Sequence, residues 1–239
     1  MAAGIAGAGQ PKTMKRCTAI LRRILRPYAS RLRLKMMTDV EALAEACIGE
    51  GPGMVLIAGT GSICVGVANR GGRRVSCRTG GLGALHDRGG GAVMGHMVLA
   101  AARAHLEGTA RHDLLVKLLC RYSGIKPREI PSHFQHLDRR ELAELAKVAL
   151  EAYDLGDRAA KEIVRATVKS QVRLVLEVRE ELGLRKDSKI FASGGLFKSP
   201  VIRRLFKARI ARSLPAARLT FVDDPLLKIM KIMGTAQQP

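Results

Sequence analysis

The stretch MVLIAGTGS (residues 54–62) joins an apolar run to a turn of two glycines and two hydroxyl side chains. An unbroken apolar run followed by Gly-Thr-Gly-Ser predicts a buried strand that ends in a tight turn. Gly59 and Gly61 permit the turn, and Thr60 and Ser62 add hydroxyl donors to the backbone amides, so the turn has the groups that a phosphate needs. Alone this evidence is weak, because Gly-Thr-Gly-Ser occurs by chance after many strands.

Two more glycine turns follow predicted strands further along the chain. TGGLGALHDRGGGAVMG (79–95) holds seven glycines in 17 residues, and SKIFASGGLFKSP (188–200) is a strand entering a Gly-Gly turn. Ligands of α/β proteins bind outside the carboxyl ends of the strands, where turns present N–H groups. The three junctions therefore predict a ligand site, and the alternative for each is a tight turn without a ligand.

The first 50 residues alternate strand-like and helix-like segments. GIAGAGQP (4–11) predicts a strand end and a turn before a helix, and RLRLKMM (31–37) alternates basic and apolar residues as a strand does. TDVEALAEACIG (38–49) predicts a helix with Thr38 or Asp39 near its N-cap. Together these segments indicate an α/β protein.

The rest of the chain continues that pattern after a GEGPG linker (49–53). ICVGVAN and RRVSCRT predict a meander joined by the NRGG turn. The helices that follow are expected at about 91–107, at 141–168 with an interruption at 155–157, and at 170–184, before a strand at 218–224 and a terminal helix.

The formal charge of +20 and the pI of about 10.5 restrict the partners. Basic residues concentrate in segments 12–35, 70–78 and 203–212, as a nucleic-acid surface would require. Only 3% of the residues are aromatic, and no zinc-finger or RNP-like motif occurs, so a generally basic proteome or a basic site for anionic phosphates is favoured over nucleic acid as the main partner. Without an apolar run of roughly 20 residues, no membrane partner is predicted.

The five cysteines are scattered and lack CxxC spacing. An odd, unpaired set indicates reduced thiols and a cytoplasmic protein. His133 and His136 have no third ligand nearby in the sequence, so no metal-ligating residue is assigned.

The ordered segments GIAGAGQP, TDVEALAEA, PGMVLIAGTGS, the glycine-rich loop, KPREI, ALEAYDLGDRAAKEIV and SGGLFKS resemble the BadF/BadG/BcrA/BcrD ATPase family, which includes the N-acetylglucosamine kinases. The resemblance implies an α/β actin-like (ribonuclease H-like) ATPase fold. It implies a partial first domain at 1–50 and a complete second domain at 51–239, with the terminal helix a candidate to pack back on the first. The match at GIAGAGQP favours a folded segment over the transit peptide that the acid-free, basic N-terminus is similar to.

The same resemblance implies an ATP-dependent sugar kinase of the N-acetylglucosamine or hexose type, with ATP, Mg²⁺ and a sugar as ligands and a homodimer as the expected assembly. Asp39 corresponds to the general base that takes the sugar hydroxyl proton, and its alternative role is the helix N-cap. The other residues that match the family are Thr60, Gly61, Gly194, Gly195 and Ser199 for ATP, and Ser62, Gly81, Leu82, Gly83 and Asp87 for the sugar.

Departures from the family keep other functions open. The loop of the family usually reads like GGWGxxLGDEGS, whereas here Leu82 replaces the aromatic residue, Arg88 the acidic residue and Gly90 the serine, and the loop is one residue shorter. The first phosphate motif, Asp-Gly-Gly-Gly-Thr-Lys, is absent, so the chain is expected to begin two or three strands into the first domain. These differences favour the alternative of a non-catalytic nucleotide- or sugar-binding descendant. An activator ATPase with a bridging iron–sulfur cluster has no paired-cysteine signature to support it.

Overall fold

The computed structural model describes residues 2–5, 11–28, 35–83, 88–225 and 229. Its strands are β1 (Ala2–Ile5), β2 (Lys35–Thr38), β3 (Gly53–Ala58), β4 (Ser62–Arg70), β5 (Arg73–Gly80), β6 (Lys189–Ser193) and β7 (Arg218–Val222). Its helices are α1 (Pro11–Leu25), α2 (Asp39–Ile48), α3 (Gly91–Leu106), α4 (Asp113–Ser123), α5 (Ile130–His133), α6 (Arg139–Glu144), α7 (Ala146–Asp154), α8 (Arg158–Leu182) and α9 (Pro200–Ser213).

The described strands form two sheets. β1 and β2 pair in parallel, and the other five strands lie in the order β5-β4-β3-β6-β7. Only β4 is antiparallel to its neighbours in the larger sheet, so β3, β5, β6 and β7 all end at one edge. Each of the three predicted strand–glycine junctions is at that edge, which we call the glycine edge (residues 59–61, 80–83 with 88–91, and 194–195).

Both faces of β3 are buried, which explains its unbroken apolar sequence. Met54, Leu56 and Ala58 join the main core, which the sheet forms with α3, α4, α7, α8 and α9. Val55 faces the other side and packs with Val40, Leu43, Ala44 and Ile48 of α2. The sheet is therefore a layer between α2 and the remaining helices that contact it.

Helix α8 is continuous where two helices were expected. The interruption at 155–157 is confirmed, because α7 ends at Asp154 and Asp157 caps α8 by accepting the Ala160 N–H at 2.8 Å. A separate helix beginning at 170 is wrong. The Thr167 hydroxyl donates to the Ile163 carbonyl at 3.0 Å, and Gln171 stays in the buried stripe, so the polar run at 169–171 keeps the helical phase.

The other predicted elements are confirmed where the structure describes them, including the meander and the helix at about 91–107. Helix α4 was not predicted, although Leu115, Leu118 and Leu119 bury one face of it. The predicted terminal helix lies largely outside the described residues. Across the described parts of the chain, no helix has both the length and the apolar character that a membrane span requires.

Candidate functional site

Backbone hydrogen bonds join two of the three glycine junctions. The Gly59 N–H donates to the Gly61 carbonyl at 2.8 Å, which closes the turn after β3. The first residues of α3 then donate back to this turn, from Gly91 N–H to Gly59 O at 2.8 Å and from Ala92 N–H to Thr60 O at 3.0 Å. The Gly-Thr-Gly-Ser turn and the end of the glycine-rich loop are therefore one structural unit.

Two glycines are required because protein backbones approach each other closely. A Cβ on Gly90 would lie 2.5 Å from the Gly61 Cα. A Cβ on Gly194, which has φ of +109°, would lie 2.4 Å from the Ala58 carbonyl oxygen. At Gly83 and Gly195, by contrast, a Cβ would meet no described atom within 4 Å. Gly90 and Gly194 therefore allow close backbone contacts, whereas Gly83 and Gly195 border open space.

Thr60 and Gly61 are half-buried in the turn, whereas Ser62 is buried. The Ser62 hydroxyl accepts the Gly89 N–H at 3.1 Å, and the Ser62 carbonyl accepts the Gly81 N–H at 2.9 Å. Ser62 thus supports both limbs of the glycine-rich loop. Its predicted contact with the substrate stays a prediction.

Helix α8 holds the returning limb of this loop. The Arg88 guanidinium donates to both carboxylate oxygens of Glu177, at 2.9 and 2.7 Å, and Arg173 adds a bond at 2.9 Å. The hydrogen bonds from Arg88 in particular hold the pKa of Glu177 below its usual range. The next residue of the loop is Gly89, whose carbonyl accepts a hydrogen bond from the buried Gln171 side-chain N–H at 2.9 Å.

Sequence reasoning missed both Glu177 and Gln171. The signal in the sequence that could have indicated such contacts is Arg88, a basic residue where the family carries an acidic one.

On the outer limb, Gly81 and Leu82 are exposed, with Leu82 60% exposed, while Asp87 lies outside the described residues. The apolar side chain of Leu82 is thus presented at the glycine edge in the place of the family's aromatic residue.

The third junction borders a small cavity of about 240 Å³ beyond the ends of β6 and β7. Gly194, Gly195, Phe197, Lys198 and Asp223 are among its lining residues. The wall is braced by Arg203, which donates to the Phe197 carbonyl, pairs with Asp223 and lies 4.9 Å from the Phe221 ring centroid.

Ser199 acts as the N-cap of α9. Its hydroxyl accepts the Ile202 N–H at 3.4 Å, and Pro200 is the first helical residue. Ser199 does not line the cavity, so among the three residues assigned to adenosine the two glycines are the ones that border it.

Asp39 is the first residue of α2, and its neighbour Thr38 is the N-cap. The Thr38 hydroxyl accepts the Glu41 N–H at 3.2 Å, and the Glu41 carboxylate accepts the Thr38 N–H at 2.8 Å. Asp39 is exposed and accepts the Val40 N–H at 3.0 Å. The capping box therefore satisfies the helix end without using the Asp39 carboxylate as the cap.

The position of α2 aims its first turn toward the glycine edge. Only residues 49–52 connect α2 to β3, and Ile48 lies against Gly53, where a Cβ would be 3.1 Å from the Ile48 Cγ2. A connection this short reverses the chain direction, so α2 begins toward the edge at which β3 ends. The role of Asp39 as general base stays a prediction.

The described residues include no group of three or more His, Cys, Asp or Glu side chains that could hold a metal ion. His133 packs edge-on against Phe134, with ring centroids 4.8 Å apart.

The model of the BadF/BadG/BcrA/BcrD ATPase family matches residues 4–217, and the chain belongs to that family. The family predicted from the glycine junctions is thus confirmed.

Curated relatives include two sugar kinases. The chain is 26% identical over 195 residues to the N-acetylmuramic acid/N-acetylglucosamine kinase of Clostridium acetobutylicum, a match that covers 80% of this chain and 62% of the relative. It is 26% identical over 188 residues to the N-acetyl-D-glucosamine kinase of Dictyostelium discoideum, covering 75% of this chain and 58% of the relative. The chain thus spans about three fifths of the length of the curated relatives that it matches.

Solved structures show the same fold at lower identity. A candidate N-acetylglucosamine kinase from Chromobacterium violaceum aligns with a TM-score of 0.71 at 19% identity, over 97% of this chain and 75% of that one. A candidate N-acetylglucosamine kinase from Porphyromonas gingivalis aligns with a TM-score of 0.74 at 20% identity, over 99% of this chain and 78% of that one. The predicted α/β actin-like ATPase fold is confirmed, and the division at residue 50 stays a prediction.

Proposed function

We propose that this chain serves an ATP-dependent sugar kinase that transfers the γ-phosphate of ATP to a hydroxyl of an N-acetylglucosamine-type or hexose sugar. The observation that carries the proposal is the convergence of three glycine junctions at one edge of the sheet. Two of them are joined by backbone hydrogen bonds, and the third packs closely against Ala58 at the end of β3. The sugar-kinase relatives and the membership in an ATPase family support the choice of phosphoryl transfer. A homodimer remains part of the proposal.

ATP is assigned to the side of the edge formed by β3 and β6. The 240 Å³ cavity bordered by Gly194 and Gly195 would take the adenosine end, and the Thr60–Gly61 turn would donate N–H and hydroxyl groups to the phosphates. Mg²⁺ supplies charge neutralisation of the phosphates when it arrives bound to ATP. The open space beside Gly195 leaves room for the ligand to approach the backbone.

The sugar is assigned to the loop that follows β5. Gly81, Leu82, Gly83 and Asp87 would border it, with the exposed Leu82 side chain offering an apolar surface to the ring. Asp39 would accept the proton of the attacking hydroxyl, because its exposed carboxylate is not the N-cap of α2.

A non-catalytic nucleotide- or sugar-binding protein is the second candidate. The ion pair between Arg88 and Glu177 favours this candidate. The loop position that is acidic in the family is an arginine here, and it makes a structural contact with α8. This candidate predicts ATP binding without turnover.

The test is ATP turnover by the 239-residue chain with Mg²⁺ and, in turn, N-acetylglucosamine, glucosamine and glucose. Asp39→Asn removes the proposed base, and Asp113→Asn is the matched control because Asp113 is likewise an exposed acidic residue at the first position of its helix, α4. We expect sugar-dependent ADP release that falls by about 10² or more in Asp39→Asn and persists in Asp113→Asn. Equal activity in both variants would remove Asp39 as the base, and ATP binding without turnover would count against catalysis by these 239 residues and favour the second candidate.

A further inference from the structure

A larger groove lies at the opposite edge of the sheet from the glycine edge. It is about 550 Å³ in volume, and we call it the amino-edge groove because it borders the starts of β3, β6 and β7. The residues that define it here are Arg70, Gly183, Arg185, Asp187, Lys189 and Arg218. Its volume is within the range of small-molecule sites.

The charge of the amino-edge groove is strongly unbalanced. Four cationic side chains and one carboxylate line it, a formal charge of +3. The single carboxylate, Asp187, is already engaged by Arg185, at 3.1 Å between Nε and Oδ1. In the described parts of the chain, no carboxylate lies within 4.0 Å of the side-chain nitrogens of Lys189 or Arg218.

Lys189 and Arg218 are register partners on the neighbouring parallel strands β6 and β7. Partner residues on adjacent strands have backbones about 4.8 Å apart, and their side chains leave the same face of the sheet. Like charges at such positions repel each other, and an anion between the two side chains would relieve the repulsion that the nearby Asp187 offsets only in part. Both residues are exposed and accessible to a ligand.

A third cation is fixed nearby. The Arg70 guanidinium donates to the Glu181 carbonyl at 2.9 Å, at the end of α8, and this hydrogen bond holds it at the groove wall. Guanidinium groups bind phosphate through paired N–H donors, and an ammonium adds a compact charge. The groove thus combines the two kinds of phosphate-binding side chain.

The lining also argues against base recognition. No described lining residue is aromatic, so the groove has no stacking surface for a nucleobase. We propose that the amino-edge groove binds a small anion with two or more phosphate groups, held between Lys189 and Arg218, with Arg70 lining the same groove. This site is independent of the proposed ATP and sugar sites at the other edge of the sheet.

The test is calorimetric titration of the 239-residue chain with tripolyphosphate at about 50 mM and about 200 mM salt. Lys189→Gln/Arg218→Gln removes two charges from the groove. Lys207→Gln/Arg209→Gln is the matched control, because it removes the same two charges from exposed positions of α9 outside the groove. Circular dichroism checks that both variants fold.

We expect the groove variant to raise the Kd for its tripolyphosphate site by about tenfold or more, and the control variant to change it by less than about threefold. Weaker binding at the higher salt is expected for the wild type. Equal affinity in the groove variant would place tripolyphosphate elsewhere, such as the glycine edge, and would overturn the proposal.

Two further outcomes would also count against it. An equal loss of affinity in both variants would mean that the overall surface charge, and not the groove, attracts the anion. A short DNA duplex that binds through Lys189 and Arg218 while tripolyphosphate does not would make the groove a nucleic-acid surface instead.

Discussion

Arg88 and Glu177 form a two-point ion pair that ties the glycine-rich loop to the C-terminal half of α8, with N–O distances of 2.9 and 2.7 Å. Their side chains are 40% and 30% exposed. Arg173, one helical turn before Glu177, donates to the same carboxylate. A loop position that is acidic in the family is basic here, and the helix beneath supplies the matching acid.

Removing the Glu177 carboxylate should destabilise the fold modestly. Glu177→Ala leaves Arg88 and Arg173 without this partner, and we expect a loss of about 0.5–1.5 kcal/mol in the free energy of unfolding, measured by urea denaturation. Glu162→Ala is the control, because Glu162 is on the same helix and pairs only at its exposed surface with Arg158, at 3.4 Å. The ion pair would be judged unimportant if the two variants lost the same small amount.

The stabilisation from Glu177 should depend on pH. Its folded-state pKa is held below the ordinary value of 4.5, so the carboxylate favours the folded state above that value and loses the effect as the pH falls through the folded pKa. The difference in Tm between the wild type and Glu177→Gln should therefore be full at pH 6–7 and shrink as the pH falls below 4.5 and through the lowered folded-state pKa. A constant difference over this range would contradict the assignment.

Gly194 should be essential to the nucleotide side of the glycine edge. Gly194→Ala adds a Cβ that would lie 2.4 Å from the Ala58 carbonyl oxygen, at a φ of +109°. Gly156→Ala is matched in backbone strain, with φ of +90°, but its nearest contact is the flexible end of Lys161 at 3.7 Å. We expect both variants to lose about 1 kcal/mol or more of stability.

Only Gly194→Ala should also weaken ATP binding, by about tenfold or more, since only this change displaces β3 from β6 next to the cavity. Calorimetric titration with ATP measures the difference. Unchanged ATP affinity in Gly194→Ala would separate the cavity from nucleotide binding.

Thr38 should contribute to the stability of α2, and Asp39 should contribute to catalysis and little to stability. Thr38→Ala removes the N-cap hydroxyl that accepts the Glu41 N–H and should cost about 1 kcal/mol in thermal or urea unfolding. Asp39→Asn keeps an oxygen for the Val40 N–H and should change stability by less than about 0.5 kcal/mol. A large stability loss in Asp39→Asn would indicate that Asp39, and not Thr38, secures the start of α2.

Much of the glycine edge was accessible from the sequence. MVLIAGTGS predicted a buried strand and its turn, and the register of β3, β4 and β5 confirms the meander that follows. Local patterns sufficed because the strands are short, apolar and ended by glycines. The same reasoning left Thr38 and Asp39 as equal candidates for the cap, and hydrogen-bond geometry assigned Thr38.

Other features depend on contacts between distant residues. The continuity of α8 through 169–171 follows from the burial of its inner face, which local polarity concealed. The hydrogen bond from Gln171 to Gly89 joins residues 82 positions apart, and no local pattern pairs them. The pairing of Lys189 with Arg218, which makes the amino-edge groove basic, requires the register of β6 and β7.

The sequence by itself determined the family, the order of the strands and the three glycine junctions, because each depends on residues adjacent in the chain. Only the tertiary structure decided which glycines are needed for backbone contact, that Ser62 supports the loop, and that Glu177 neutralises Arg88. The reason is physical: steric limits and ion pairs act over a few ångströms in space, and residues far apart in sequence come that close only after the sheet and α8 have packed.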